Sequence, residues 1–187
     1  MKNTCMKFLC AAALALCAAA FAADEFRVLL APNPAEANVF RDFSLYCHTD
    51  FKATLDRPVV DGAPVIKLTL TEAPATAVNA QRVQFRLTLA AGRLEAGTEY
   101  RIHFRCKSDR PAYMSFRCQE SATPWSEVTE HAAGGVLLSP DWKYVEYCFT
   151  PYEDGNGNPV WVPNFECGFL GLNNSLYIKE LVLEALD

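Results

Sequence analysis

The chain has 187 residues and a formal net charge of −5 at pH 7, with 17 Lys and Arg against 22 Asp and Glu. That acidic balance argues against a general nucleic-acid binder, whose affinity rests on neutralising phosphates, while leaving room for a local basic patch. A hydrophobic share of 51 % suits one globular domain with a sizeable core.

The first residues read as a targeting segment. Lys2 and Lys7 lead into an apolar run from Phe8 to Phe21, and Ala20-Phe21-Ala22 is a small-x-small cleavage signal. The run is too short to span a bilayer, so residues 1–22 are expected to be an export signal and the mature chain to begin at Ala23. Cys17 follows Leu16 rather than a small residue, which argues against a lipid anchor. No later segment approaches a transmembrane length. The expected location is periplasmic or secreted, with no membrane insertion, and residues 23–187 form one domain.

In chain order, Phe26–Leu30 reads as a strand and residues 31–38 as a connection. Phe43, Leu45 and Cys47 alternate with Ser44, Tyr46 and His48, the period-two signature of a half-buried strand. Asp56-Arg57-Pro58 and Asp61-Gly62-Ala63-Pro64 are turn chemistry. Strands follow at Ile66–Leu70 and over Val83–Leu89, with a loop at 71–80. Leu94–Gln119 is then a strand–turn–strand unit. Tyr100, Ile102, Phe104 and Cys106 alternate with Arg101, His103, Arg105 and Lys107; after Ser108-Asp109-Arg110-Pro111, Met114, Phe116 and Cys118 alternate with Tyr113, Ser115, Arg117 and Gln119. Residues 120–135 form a long loop holding Trp125 and His131. Strands over 142–150, 160–172 and 176–186 complete the chain, the first two separated by the Asp154–Pro159 turn. Eight to ten short strands with no convincing helix and no repeat specify an all-β fold, an antiparallel β-sandwich of the jelly-roll kind.

Once the signal is removed, five cysteines remain: Cys47, Cys106, Cys118, Cys148 and Cys167. Export permits disulfides, but an odd count leaves one thiol over. A hairpin places Cys106 and Cys118 several rungs apart, so that pair is disfavoured; most of the five are expected to be small buried core residues. No Cys/His spacing fits zinc.

Several stretches resemble the carbohydrate-binding modules of families four, nine and twenty-two, galactose-binding-like jelly rolls often attached to secreted polysaccharide hydrolases. Ala80-Gln81-Arg82-Val83-Gln84-Phe85 is similar to the family's glutamine-bearing strand. Leu94-Glu95-Ala96-Gly97-Thr98-Glu99-Tyr100-Arg101-Ile102-His103-Phe104 is similar to its L-x-A-G-x-x-Y-x-hydrophobic-x-F core. Residues 138–149, with Trp142 and Phe149-Thr150, and Tyr177–Leu183 resemble its last strands. The resemblance implies a non-catalytic module whose partner is a carbohydrate polymer or oligosaccharide, and a core position for Trp142. It also implies a structural calcium, but Lys179 stands where the family carries an acid, and an ammonium cannot ligate calcium. No cofactor is therefore expected.

Sugars are recognised by an aromatic ring on the pyranose C–H face and by planar amide, guanidinium and imidazole groups on the hydroxyls. Strand parity supplies such a set: Gln84, Arg101, His103, Arg105, Tyr113, Arg117 and Gln119, with Trp125 as a stacking platform. If the two strands of the 94–119 unit pair as a hairpin, Arg101, His103, Arg117 and Gln119 lie close together. These faces also carry Arg82, Arg86 and Lys107 and no acid, so something negative must cover them. Either an anionic glycan does so, or internal acids such as Glu120, Glu127, Glu130 and Glu146. Catalysis has weaker support: no nucleophile motif is present, and Tyr113 with His103 and Arg117 is the one trio suited to abstracting a proton from a uronate. A structural or protein-interaction sandwich is the remaining class.

Overall fold

Strands that alternate apolar and polar residues need a second layer against which to bury the apolar set. In the computed structural model two antiparallel sheets provide it for each other. The structure describes residues 26–30, 43–76, 79–89, 94–123, 125, 134–151 and 160–186. The expected export segment, the 31–38 connection, the loop residues Glu127, Glu130 and His131, and the 154–159 turn lie outside the described residues.

The strands are β1 (Phe26–Leu30), β2 (Phe43–Cys47), β3 (Lys52–Asp56), β4 (Val59–Val60), β5 (Ala63–Pro64), β6 (Ile66–Glu72), β7 (Val83–Leu89), β8 (Tyr100–Ser108), β9 (Ala112–Glu120), β10 (Gly134–Leu138), β11 (Lys143–Phe149), β12 (Val160–Glu166) and β13 (Ser175–Leu186). Sheet A runs β11-β8-β13-β6-β3, with β1 also on β13; sheet B runs β10-β9-β12-β7-β2. The small β4–β5 ribbon closes on Asp61 and Gly62, both at positive φ, as the turn chemistry there anticipates. This is an antiparallel β-sandwich of the jelly-roll type. Strands β3 and β10 were not anticipated. The former lies between turn signals, and the latter is masked by Gly134 and Gly135.

The core is the interface between the sheets. Leu68, Leu70, Ile102, Phe104, Ile178 and Leu183 come from sheet A and meet Val83, Phe85, Met114, Phe116 and Phe165 from sheet B, all of them buried. Phe104 stands edge-on to Phe165 at 5.2 Å and to Phe116 at 5.9 Å. Each such ring contributes about 2–3 kcal/mol by leaving water.

The unit 94–119 is not a hairpin. β8 belongs to sheet A and β9 to sheet B, so the chain turns a corner between layers. The backbone donors after β8 are already committed: Ser108 N–H donates to Ser139 O, Asp109 N–H to Ser175 O and Arg110 N–H to Asn174 Oδ1. Nothing is left to zip β8 onto β9. Asn174, buried, clamps the corner further by donating from Nδ2 to the carbonyls of Arg110 and Leu170 and by accepting from Ser175 N–H. As a result the two oily faces oppose each other across the core, while the two basic faces point away from the sandwich in opposite directions.

Two expectations about single residues change. Trp142 is not in the core: it is half-buried on the outside of sheet A, where its Nε1 donates to Asp61 and the ammonium groups of Lys179 and Lys107 lie over its ring at 4.3 and 4.9 Å. Of the cysteines, Cys106, Cys118 and Cys167 are buried, Cys47 is half-buried and Cys148 is exposed, and all five are free thiols. Burial pushes the Cys106 thiol up to about 11 and raises Cys167 as well. A thiol-specific maleimide applied to the native protein is expected to modify Cys148 first and to reach Cys106, Cys118 and Cys167 only after unfolding, as read by peptide mass mapping.

Replacing Asn174 with Ala strands buried backbone groups at the corner, each costing about 1–3 kcal/mol. Urea denaturation of Asn174→Ala should therefore show a loss of about 3 kcal/mol or more, with the m-value unchanged.

Candidate functional site

The outer face of sheet B carries a cleft of about 480 Å³ lined by Tyr46, Asn79, Gln81, Arg82, Gln84, Arg86, Arg117, Gln119, Trp125, Trp161 and Glu166. Register explains why residues so far apart in sequence meet. One rung across β2, β7, β12 and β9 reads Ser44, Arg86, Asn164, Arg117; the adjacent one reads Tyr46, Gln84, Glu166, Ser115. Cross-strand neighbours on one face lie about 4.5–5.5 Å apart at Cβ, so each rung is a continuous polar stripe.

β12 supplies its stripe through a bulge. Its register shifts between Trp161 and Asn164, so Trp161 faces Thr88 and Gln119 while Asn164 faces Arg86 and Arg117. In a regular strand, residues three apart would point to opposite faces; the extra residue puts both on the same one. Trp161 is buried but lines the cleft.

Amides form the floor. Asn164 is fully buried, and its Nδ2 donates to Gln84 Oε1 at 3.1 Å and to Gln119 Oε1 at 3.4 Å. Gln84 Oε1 also accepts from Arg86 Nε at 2.9 Å, and Gln84 Nε2 donates to the Gln81 carbonyl in the 3-10 turn Ala80–Arg82. That turn is capped by Asn79, whose Oδ1 accepts from Gln81 N–H. Gln84 is thus fixed by three partners on three elements.

Two arginines have different environments. The Arg117 guanidinium lies 2.8 Å from Glu166, which is buried and also accepts from the Ser115 hydroxyl at 2.7 Å. Arg86 instead stacks on rings, 3.9 Å from the Trp161 centroid and 4.7 Å from that of Tyr46. Burial lowers its pKa from the usual arginine range, opposed by the Tyr46 hydroxyl, and it remains a cation at neutral pH. Trp125 closes one side of the cleft. Its φ of 57° is uncommon for a bulky residue, and 55 % of its surface is exposed, which leaves a ring face free for stacking.

Of the residues expected from sequence, Gln84, Arg117, Gln119 and Trp125 meet in this cleft. Tyr113 shares the sheet but lies over Gly135, tilted against Phe169 at 6.3 Å, and does not line it. Arg101, His103 and Arg105 are on the outside of sheet A, on the far side of the sandwich, because β8 and β9 do not pair. The expected proximity of Arg101 and His103 to Arg117 and Gln119 is therefore not realised, and the trio of Tyr113, His103 and Arg117 is not assembled. Sequence reasoning missed Asn164 and passed over Trp161, since the apolar run 160–166 conceals a bulge. Tyr46 and Arg86 showed the right parity but not their sheet.

The cations that β8 presents on the outside of sheet A are covered internally. Arg101 lies 2.6 Å and His103 3.3 Å from Glu184, Arg105 3.0 Å from Glu180, and Lys107 3.9 Å from Asp61; the expected Glu146 contributes at 4.0 Å from Arg101. A bulge between Lys179 and Val182 switches the parity of β13 and turns Glu184 outward toward these groups. Among the described residues no group of three or more His, Cys, Asp or Glu is placed to hold a metal ion.

Comparison with known proteins places the fold. No protein-family model and no curated protein matches the chain. Among solved structures, one presented as "CBM4 structure and function" superposes at TM-score 0.60 with 20 % identity, over 76 % of this chain and 86 % of the other. The N-terminal cellulose-binding domain of β-1,4-glucanase C from Cellulomonas fimi gives 0.52 at 16 % identity, covering 76 % and 88 %. A putative sugar-binding protein from Bacteroides thetaiotaomicron gives 0.56 at 9 %, covering 76 % and 87 %. At these identities the likeness shows the fold: a jelly roll like that of carbohydrate-binding modules.

Removing one partner of the Arg117–Glu166 pair leaves a charge in the floor without its counter-ion. Glu166→Ala is expected to lower stability by about 2–3 kcal/mol in chemical denaturation, with Glu166→Gln milder because it keeps an acceptor for Ser115.

Proposed function

We propose that the protein is an exported, non-catalytic carbohydrate-binding module of the family four, nine and twenty-two kind, holding a polysaccharide or oligosaccharide in the sheet B cleft. The observation that carries this reading is the cleft's composition: an exposed tryptophan beside a floor of mutually bonded amides. Stacking on Trp125 and hydroxyl contacts from Gln84, Gln119 and Arg117 are the two halves of sugar recognition. Fixing Gln84 through three hydrogen bonds lowers the ordering cost of binding. The open cleft suits a chain rather than an enclosed monosaccharide. The leader-like segment 1–22 supports export to the periplasm or beyond.

The same cleft supports a non-catalytic role. Glycoside hydrolysis uses two carboxyl groups flanking the bond, and among the described residues Glu166 is the one carboxylate lining the cleft. It is held by Arg117 and Ser115, so it is poised to orient neighbours rather than to exchange protons.

Affinity electrophoresis of the mature chain through gels containing soluble polysaccharides tests the proposal, with calorimetry on the retarding polymers. Trp125→Ala should weaken binding by about 2 kcal/mol, roughly thirtyfold in Kd, as for a central aromatic contact. Arg105→Ala, on the opposite sheet, should leave binding unchanged. Absence of retardation in every gel would refute the carbohydrate reading.

A further inference from the structure

We infer that the cleft selects acidic glycans, with the Arg86 guanidinium receiving the carboxylate of a uronic acid residue and Arg82 meeting a second acid further along the chain. This deepens the carbohydrate reading and rests on it. The argument begins with charge accounting. Among the described residues three arginines and one glutamate line the cleft, and the glutamate is committed to Arg117. Among the described residues neither Arg82 nor Arg86 has a carboxylate partner. On sheet A, by contrast, Arg101, Arg105, Lys107 and Lys179 each have an acid within 4.0 Å. A chain with five more acids than bases leaves two cations uncovered where an extended ligand would lie.

Arg86 is also pre-arranged for an anion. Its plane is fixed by Trp161 and Tyr46, and its Nε is bound to Gln84 Oε1. That leaves the two terminal nitrogens, which have no hydrogen-bond partner among the described residues. A guanidinium held in this way presents a planar fork that matches a carboxylate bidentately. It is partly withdrawn from water, so a counter-ion compensates it better than a neutral hydroxyl does. Arg82, at the end of the 3-10 turn that leads into β7, lines the same cleft, which favours a chain with acids on more than one sugar.

Calorimetry on the mature protein in low-salt buffer, with oligogalacturonate, a neutral gluco- or xylo-oligosaccharide of equal length and a sulfated oligosaccharide, tests the inference. The uronate chain should bind about tenfold tighter than the neutral one, as expected for one charge-assisted bidentate contact, and the margin should shrink as salt rises. Arg86→Gln should abolish most of that margin by weakening the uronate chain far more than the neutral one, Arg86→Lys should retain part of it, and Arg82→Gln should reduce it less. If Arg86→Gln fails to fold, the wild-type comparison and Arg82→Gln still decide. Neutral chains binding as tightly as acidic ones would overturn the inference and leave the carbohydrate reading standing. Tighter binding of the sulfated chain would overturn the carboxylate assignment. An equal loss for both ligands in Arg86→Gln would overturn the role of Arg86. Failure of every chain to bind would remove both readings.

Discussion

The opposition of Phe104 on one sheet to Phe116 and Phe165 on the other organises the molecule. These rings meet edge-on at the centre of the sandwich and are buried. They can meet only if β8 and β9, adjacent in sequence, lie in different layers. The clamp of Asn174 on Arg110 and Leu170 enforces that arrangement at the corner. The outward faces of β8 and β9 then point away from each other, so their polar residues serve two separate surfaces.

Those surfaces have different electrostatic characters. Sheet A wears the cations of β8 under acids from β13, β11 and the β4–β5 turn, and much of this region is a lattice of ion pairs and ring contacts. Exposed pairs of this kind add little stability individually, about 0–1 kcal/mol, but they neutralise the cations of β8. Sheet B gathers amides, arginines and aromatic rings around one depression, and the one acid among its described lining residues is spent on one arginine. The same residue types that look equivalent in strand parity thus become a covered surface in one case and a binding surface in the other.

Bulges make both surfaces possible. Between Trp161 and Asn164, and between Lys179 and Val182, an extra residue resets which side of the sheet the following side chains face. The first places a tryptophan and an asparagine on the same face. The second brings Glu184 to Arg101 and His103. Neither is visible in the apolar run 160–166 or in the closing strand, because a bulge is defined by its partner strand rather than by its own residues.

The sequence by itself determined the all-β class, the inward residues of β7, β8 and β9, and the outward parity of Gln84, Arg86, Arg117 and Gln119, since period-two alternation is a local property of an extended chain. It also singled out Trp125 as a loop aromatic. Only the tertiary structure decided that Arg101, His103 and Arg105 lie apart from Arg117 and Gln119, and that Tyr46, Arg86, Asn164 and Trp161 join the cleft. Alternation says which side of its own strand a residue occupies. Which strands become neighbours depends on corner hydrogen bonds and on core rings packing across layers, and these are interactions between residues distant in the chain.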